Sequence, residues 1–176
     1  MELTSPRLLF RPGRPGDAQT LPSLLDWEVL RWFDFIHHPY DEAAARRFLL
    51  RVAEDHAGLS PGLFLLEEKE SGALIGEAWV VPRQDAVGRS LGYWLAAPHR
   101  GQGLGREAVV RMIAYAREDL KAPGLHANVA PQNRRSAALL ESLGFVQVGT
   151  EPRPESRAGN DHVVRWWLDM AKEAGG

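Results

Sequence analysis

Arg100–Gly105, RGQGLG, is the stretch on which the reading of this chain turns. It follows an apolar run, Ser90–Ala97 (SLGYWLAA), which Pro98 ends, and it opens the most clearly helical segment of the sequence. From about Gly103 to Leu120, Val109, Met112, Ile113, Ala116 and Leu120 recur on one stripe, while Arg106, Arg111, Arg117 and Glu118 fall elsewhere. Strand, glycine loop, helix is an arrangement with chemical consequences. The first turn of a helix has unpaired N–H groups and a partial positive charge, so it attracts anions. Gly101, Gly103 and Gly105 let the backbone come close to a pyrophosphate and adopt positive φ. By itself the glycine pattern serves a ligand-free turn equally well. Two phosphate loops are excluded by spacing. Gly105 is followed by Arg106-Glu107 rather than the Lys-Ser/Thr of a Walker loop, and the third glycine of a Rossmann fingerprint would fall on Arg106.

Working outward, Arg7–Arg11 (RLLFR) reads as a first strand closed by Pro12-Gly13. Asp17 is placed to cap a short helix through about Trp27, and Asp41 to start a longer one carrying Ala44, Phe48, Leu49 and Val52, with Gly58 past its end. Leu63–Glu67, Ala73–Val81 and Ser90–Ala97 are three strands joined by short polar turns, which predicts antiparallel pairing. After Pro123-Gly124 come a short strand, Leu125–Ala130, and a helix from Asn133 to Leu143. Gly144 is placed to end that helix, with Phe145 folding back onto Leu140. Phe145–Gly149 and Val163–Asp169 are the last two strands. Glu107 and Arg111 are spaced for an ion pair along their helix. The element order is mixed α/β in one domain spanning residues 1–176.

Composition narrows the function. At 176 residues there is room for one sizeable core. Lys and Arg number 21 against 23 Asp and Glu, and with no basic block a nucleic-acid or membrane-surface partner is not expected. Absence of cysteine removes disulfides, thiolate metal sites and a cysteine nucleophile, and fits a cytoplasmic protein. No segment resembles a signal peptide or a membrane span.

Arg100-x-x-Gly103-x-Gly105 resembles the R/Q-x-x-G-x-G/A signature of the GNAT superfamily of N-acetyltransferases. Asn133-x-x-Ser136 followed by Leu143-Gly144-Phe145 is similar to that superfamily's next conserved stretch. The N-terminal TSPRLLFRPGRPGDA, the GYWL before the loop and Asp161-His162 resemble the RimJ/RimL branch, whose founding members acetylate N-termini of ribosomal proteins. The resemblance implies a mixed, mostly antiparallel twisted sheet of about seven strands flanked by about four helices. It also implies acetyl-CoA as acyl donor, a splayed strand pair holding pantetheine like an extra strand, and a primary amine as acceptor. Carried over residue by residue, the backbones of Trp94, Leu95 and Ala97 would bond pantetheine, with an N–H near Leu95 facing the thioester oxygen. The pyrophosphate would take N–H groups from Gly101, Gln102, Gly103, Leu104, Gly105 and Arg106, and Arg100 belongs to the same cofactor-binding set. Asn133 either caps its helix or contacts pantetheine. Ser136 either packs at the helix start or donates to the departing sulfur. Many relatives carry a tyrosine in that helix, and this helix has none.

Direct amine attack on the thioester needs a neutral amine. An α-amine of pKa about 7.7–8 is about a tenth neutral at pH 7, and a lysine amine near 10.4 is below about a thousandth, so an N-terminal acceptor needs less help. Glu77, interrupting the apolar LIGEAWV, is the candidate base, directly or through a water; solvent-facing alternation explains it equally. His37, His38 and His99 are alternatives. Trp27, Trp32, Phe33 and Phe35 are either an acceptor wall or core. Arg134, Arg135 and Lys121 either meet the outer CoA phosphate or are simply solvated. An antibiotic or other small amine as acceptor, or a module that binds acyl-CoA without turnover, fits the same motifs. Monomer and homodimer both remain open.

Overall fold

The computed structural model describes residues 1–36, 38–57, 62–83, 87–153 and 156–171. Its frame is one eight-stranded sheet. In chain order the strands are β1 (Leu3–Thr4), β2 (Leu8–Arg11), β3 (Leu63–Glu68), β4 (Leu74–Pro82), β5 (Arg89–Leu95), β6 (Gly124–Val129), β7 (Val146–Pro152) and β8 (His162–Asp169). The helices are α1 (Asp17–Leu24), α2 (Trp27–Leu30), α3 (Glu42–Ala57), α4 (Leu104–Glu118) and α5 (Arg134–Ser142), with a 3₁₀ turn at Ala97–His99. Strands lie in the order β1-β2-β3-β4-β5-β6-β8-β7. The β3–β4–β5 meander is antiparallel, as its short turns require, and β5–β6 is the parallel pair, reached by the α4 crossover.

The faces are covered separately. Leu104, Ala108, Val109, Met112, Tyr115 and Ala116 of α4 pack with Phe10, Phe64, Ile75 and Leu125 on one face. On the other, Ala18 and Leu21 of α1 and Ala45 and Leu49 of α3 pack on Leu65, Leu74 and Trp94. Beneath α1, the buried Arg11 guanidinium donates to Asp17 through Nη1 and Nη2 (2.8 and 2.9 Å) and to Glu67 through Nε (2.7 Å). Pairing on all sides is what allows charges this deep.

Several expectations change. The strand count is eight because Leu3–Thr4 adds an edge pair, too short for any periodic signal. The single helix expected through Trp27 is two, because Leu25 is extended (φ −90°, ψ 91°) and Asp26 starts α2 by accepting the Val29 N–H at 2.9 Å. Asp17 lies inside α1 and spends its carboxylate on Arg11 and the Arg14 N–H rather than on a cap. Glu107 turns away from Arg111. It accepts from Ser5 Oγ, the Arg7 N–H and Arg7 Nε, each at 2.7 Å, tying α4 to the N-terminal strands, while Arg111 donates to the Thr4 carbonyl. Asp41 does start α3, accepting the Ala44 N–H at 2.7 Å. The end of α5 closes as expected. Gly144 is left-handed (φ 87°), its N–H donates to Glu141, and Phe145 N–H donates to Leu140. Gly58 lies outside the described residues.

Candidate active site

The parallel strands β5 and β6 pair at two positions only, Arg89 with Leu125 and Ser90 with His126. Beyond Ser90 they separate, each toward its own C-terminal end. The gap widens into a cleft of about 740 Å³ whose walls include Leu91–Leu95 of β5, Ala127–Val129 of β6 and the start of α5. A crevice past the carboxyl ends of parallel strands is where open α/β sheets bind ligands.

The β5 edge facing the gap has unpaired backbone groups. The Ala96 N–H donates to the Ile75 carbonyl, which fixes the ladder phase. Trp94, opposite Glu77, is then turned toward β4, whereas Tyr93 and Leu95 turn their N–H and C=O into the gap. Arg100 Nε takes the Leu95 carbonyl at 2.8 Å. The Tyr93 N–H and C=O and the Leu95 N–H remain for an extended ligand bearing amides. Trp94 is among the lining residues although its main chain is turned toward β4, and Ala97 lies in the 3₁₀ turn, its carbonyl accepting the Arg100 N–H at 3.3 Å.

At the gap's mouth the RGQGLG loop turns into α4. Gly101 and Gly103 have φ of 76° and 80°, which side chains disfavour. Gly103 is the N-cap and has no side chain to satisfy the N–H groups of the first turn, so those of Leu104, Gly105 and Arg106 are left for an anion. Arg100, Gly101 and Gly105 line the cleft. Gln102 donates to the Pro98 carbonyl, Leu104 is core, and Arg106 donates to Ser142 Oγ on α5. The Arg100 side chain is structural. Its Nη2 donates to Asp26 Oδ1 at 2.8 Å, joining the loop to the start of α2. That bond, aided by the Val29 N–H and against partial burial, holds the Asp26 carboxyl below its usual range.

Asn133 caps α5, its Oδ1 accepting the Ser136 N–H at 3.3 Å, and both residues line the cleft with Arg134 and Arg135. Lys121 is not among the lining residues. Of the aromatic group, Trp32 and Phe33 reach the cleft, while Trp27 and Phe35 are exposed elsewhere. The segment between them is held at its far end by Asp34, which takes Arg153 Nε and the Arg157 N–H at 2.8 and 2.9 Å. His99 sits in the 3₁₀ turn, His38 is exposed, and His37 lies outside the described residues.

Glu77 is buried, which alternation alone does not predict. Opposite β3, Leu66 pairs with Gly76 but Glu67 with Leu74, so Ile75 is an inserted residue on β4. A bulge re-aims the side chains after it. Ile75 and Ala78 thus share the α4 face, and Glu77 turns with Trp94 to the face of α1 and α3. Its Oε2 accepts the Trp94 indole N–H at 3.0 Å. Burial pushes the carboxyl up to about 7, the indole bond pulling partly the other way. Glu77 does not itself line the cleft, whereas Trp94, its hydrogen-bond partner, does. Tyr93 was missed from sequence. It turns to the opposite face and lines the cleft, as Ser136 does. An aromatic in an apolar strand has no signal beyond core.

Residues 7–146 match the family model described as an acetyltransferase (GNAT) domain. The chain is 31% identical over 160 residues to the [ribosomal protein uS5]-alanine N-acetyltransferase of Escherichia coli, covering 85% of this chain and 80% of that protein. In three dimensions it superposes on the ribosomal-protein-S5-alanine acetyltransferase of Vibrio fischeri with a TM-score of 0.82 at 20% identity, over 96% of each chain. It also superposes on Mycobacterium smegmatis RimJ in complex with CoA-disulfide, with a TM-score of 0.78 at 16% identity, over 95% of this chain and 84% of that one.

Proposed function

Since the chain belongs to the GNAT acetyltransferase family, we propose that it transfers acetyl from acetyl-CoA to the N-terminal α-amine of a protein, by direct attack in a ternary complex. The observation that carries this reading is the β5–β6 gap ending at an uncapped helix N-terminus. Pantetheine lies along β5, its amides meeting the Tyr93 and Leu95 main chain. The pyrophosphate takes the N–H groups from Gly101 to Arg106, and Arg134 or Arg135 meets the outer phosphate. The Leu95 N–H, free of β4, supports the thioester oxygen as charge develops there. Ser136 donates to the leaving sulfur; a thiol pKa near 8.5 makes thiolate a tolerable leaving group. Holding both reactants in line supplies much of the rate. Glu77, titrating near neutrality, accepts the amine's proton through a water passing the Trp94 edge. Trp32 and Phe33 face the acceptor. The curated relative named for uS5-alanine acetylation favours an N-terminal acceptor over a small amine, and the reaction belongs in the cytoplasm.

Calorimetric titration with acetyl-CoA tests the donor site, and absence of binding at high micromolar concentration removes it. Thiol release with N-terminal peptides, polyamines and aminoglycosides then tests the acceptor. Release only with small amines replaces the N-terminal reading, and binding without any release leaves a non-catalytic acyl-CoA module.

A further inference from the structure

A pyrophosphate at the glycine loop needs the loop's N–H groups turned toward it, and glycine by itself does not ensure this. The carbonyl of one residue and the N–H of the next point to opposite sides of a planar trans peptide. Turning over the Gln102–Gly103 peptide would exchange the two, placing an oxygen where the anion needs a donor. That rotation carries Gly103 from positive to negative φ. Glycine adopts either about as readily, so the observed φ of 80° does not hold the peptide in place.

Arg7 holds it. The Arg7 Nη1 donates to the Gln102 carbonyl at 2.9 Å, and the Nε donates to Glu107 Oε2 at 2.7 Å. Nη2 lies against the loop, 3.4 Å from where a Cβ on Gly103 would stand. The guanidinium is itself fixed from behind. Glu107, in the first turn of α4, also accepts the Arg7 N–H and Ser5 Oγ, each at 2.7 Å. The Arg7 carbonyl accepts the Lys69 N–H at 2.9 Å. A planar fork holds a carboxylate and a carbonyl together in one geometry, which the compact, rotating ammonium of lysine does not. Arg7 and Gly103 line a second groove, between the N-terminal segment and α4, which shares no lining residue with the cleft. Drawing the Gln102 carbonyl to Arg7 turns the Gly103 N–H the other way, where no group among the described residues accepts it.

We infer that Arg7 is a positioning residue for the acyl donor: it fixes the Gln102–Gly103 peptide with its N–H toward the pyrophosphate. The inference rests on the acetyl-CoA reading of the cleft. Arg7 touches no phosphate in this role, and its charge is matched by Glu107; what it supplies is orientation. An N–H aimed at an anion makes a charge-assisted hydrogen bond, and losing one corresponds to about tenfold to a hundredfold in affinity.

The test compares CoA with pantetheine, which lacks the pyrophosphate. Binding of each to wild type, Arg7→Met and Arg7→Lys is followed by backbone amide shifts in nuclear magnetic resonance, and needs no acceptor. Arg7→Met should weaken CoA binding about tenfold or more, leave pantetheine binding in place, and remove most of the shift that CoA causes at the Gly103 amide. Arg7→Lys keeps a charge beside Glu107 and should behave in the same way, and it carries the test if Arg7→Met does not fold. CoA affinity unchanged in these variants would overturn the inference by showing that the peptide holds itself. An equal loss for CoA and pantetheine would overturn it too, leaving Arg7 a general support of the fold. Failure of the wild type to bind CoA would instead remove the donor reading beneath it, so the two failures are distinguishable.

Discussion

Glu77→Gln should stabilise the protein in alkali and do little in acid. The unfolded carboxyl has its ordinary value of 4.5, and burial raises it in the folded state to about 7. Below 4.5 both states are protonated and the buried group carries no charge. Between 4.5 and about 7 the unfolded state ionises first, so stability falls as pH rises, and above 7 the folded state holds a buried carboxylate. The stability this group contributes is thus present below its unfolded value and lost as pH rises through its folded one. At 1.36 kcal/mol for each pH unit the gap corresponds to ~3 kcal/mol. Glutamine matches the shape, keeps an oxygen for the Trp94 indole and never ionises. Urea unfolding of both proteins across the acid-to-alkaline range, with the difference taken at each pH, cancels every other titrating group. The difference should be near zero at pH 4.5 and grow to ~3 kcal/mol in favour of the variant above neutrality. A difference that does not change with pH would refute the argument, since it would mean the carboxylate reaches water when charged. The same variant tests the base. Wild-type turnover should rise through about pH 7 on the Glu77 limb, and the variant should lose that limb with acetyl-CoA affinity unchanged.

Gly76→Ala should disrupt the β4–β5 ladder, because a Cβ there would lie 2.1 Å from the Trp94 carbonyl oxygen; a loss of about 1–3 kcal/mol by urea unfolding is expected. Gly103→Ala, at φ 80°, should cost about 1–2 kcal/mol of loop strain and weaken acetyl-CoA binding in calorimetry, whereas a change in stability alone would return the loop to a plain turn. Arg11→Met strands Asp17 and Glu67 and should cost about 3–5 kcal/mol at neutral pH. Burial would raise Asp17, but its bonds from Arg11 and the Arg14 N–H hold it below its usual 3.8, so this cost should shrink as pH falls through that lowered value. Asp26→Asn frees Arg100 from α2 and should raise KM for the acceptor more than for acetyl-CoA; equal effects would mean that Asp26 supports only the donor loop.

Sequence alone determined what local chemistry controls. The glycines of the loop mark positive φ, the stripe of α4 marks its buried face, Asn133 and Asp41 mark helix starts, and Gly144-Phe145 marks a helix end, because each depends on neighbours a few residues away. The short polar turns likewise fixed the antiparallel meander. Long-range geometry was not legible. Glu77 reads as an exposed alternation, but the face it shares with Leu65 and Trp94 is covered by α1 and α3, a cover that only the fold supplies. Glu107 looks paired with Arg111 along its helix, yet it goes to Ser5 and Arg7 about a hundred residues away. Arg100 reads as the first residue of the cofactor loop, but that its guanidinium goes to Asp26 and the Leu95 carbonyl is set by the fold. Tyr93 and Ser136, far apart in sequence, line one cleft only because β5 and β6 diverge and α5 begins beside the gap. A backbone signal is set by the chain's own torsions and survives in the sequence. A side chain's partner is set by which strands lie side by side, and that the tertiary structure alone decides.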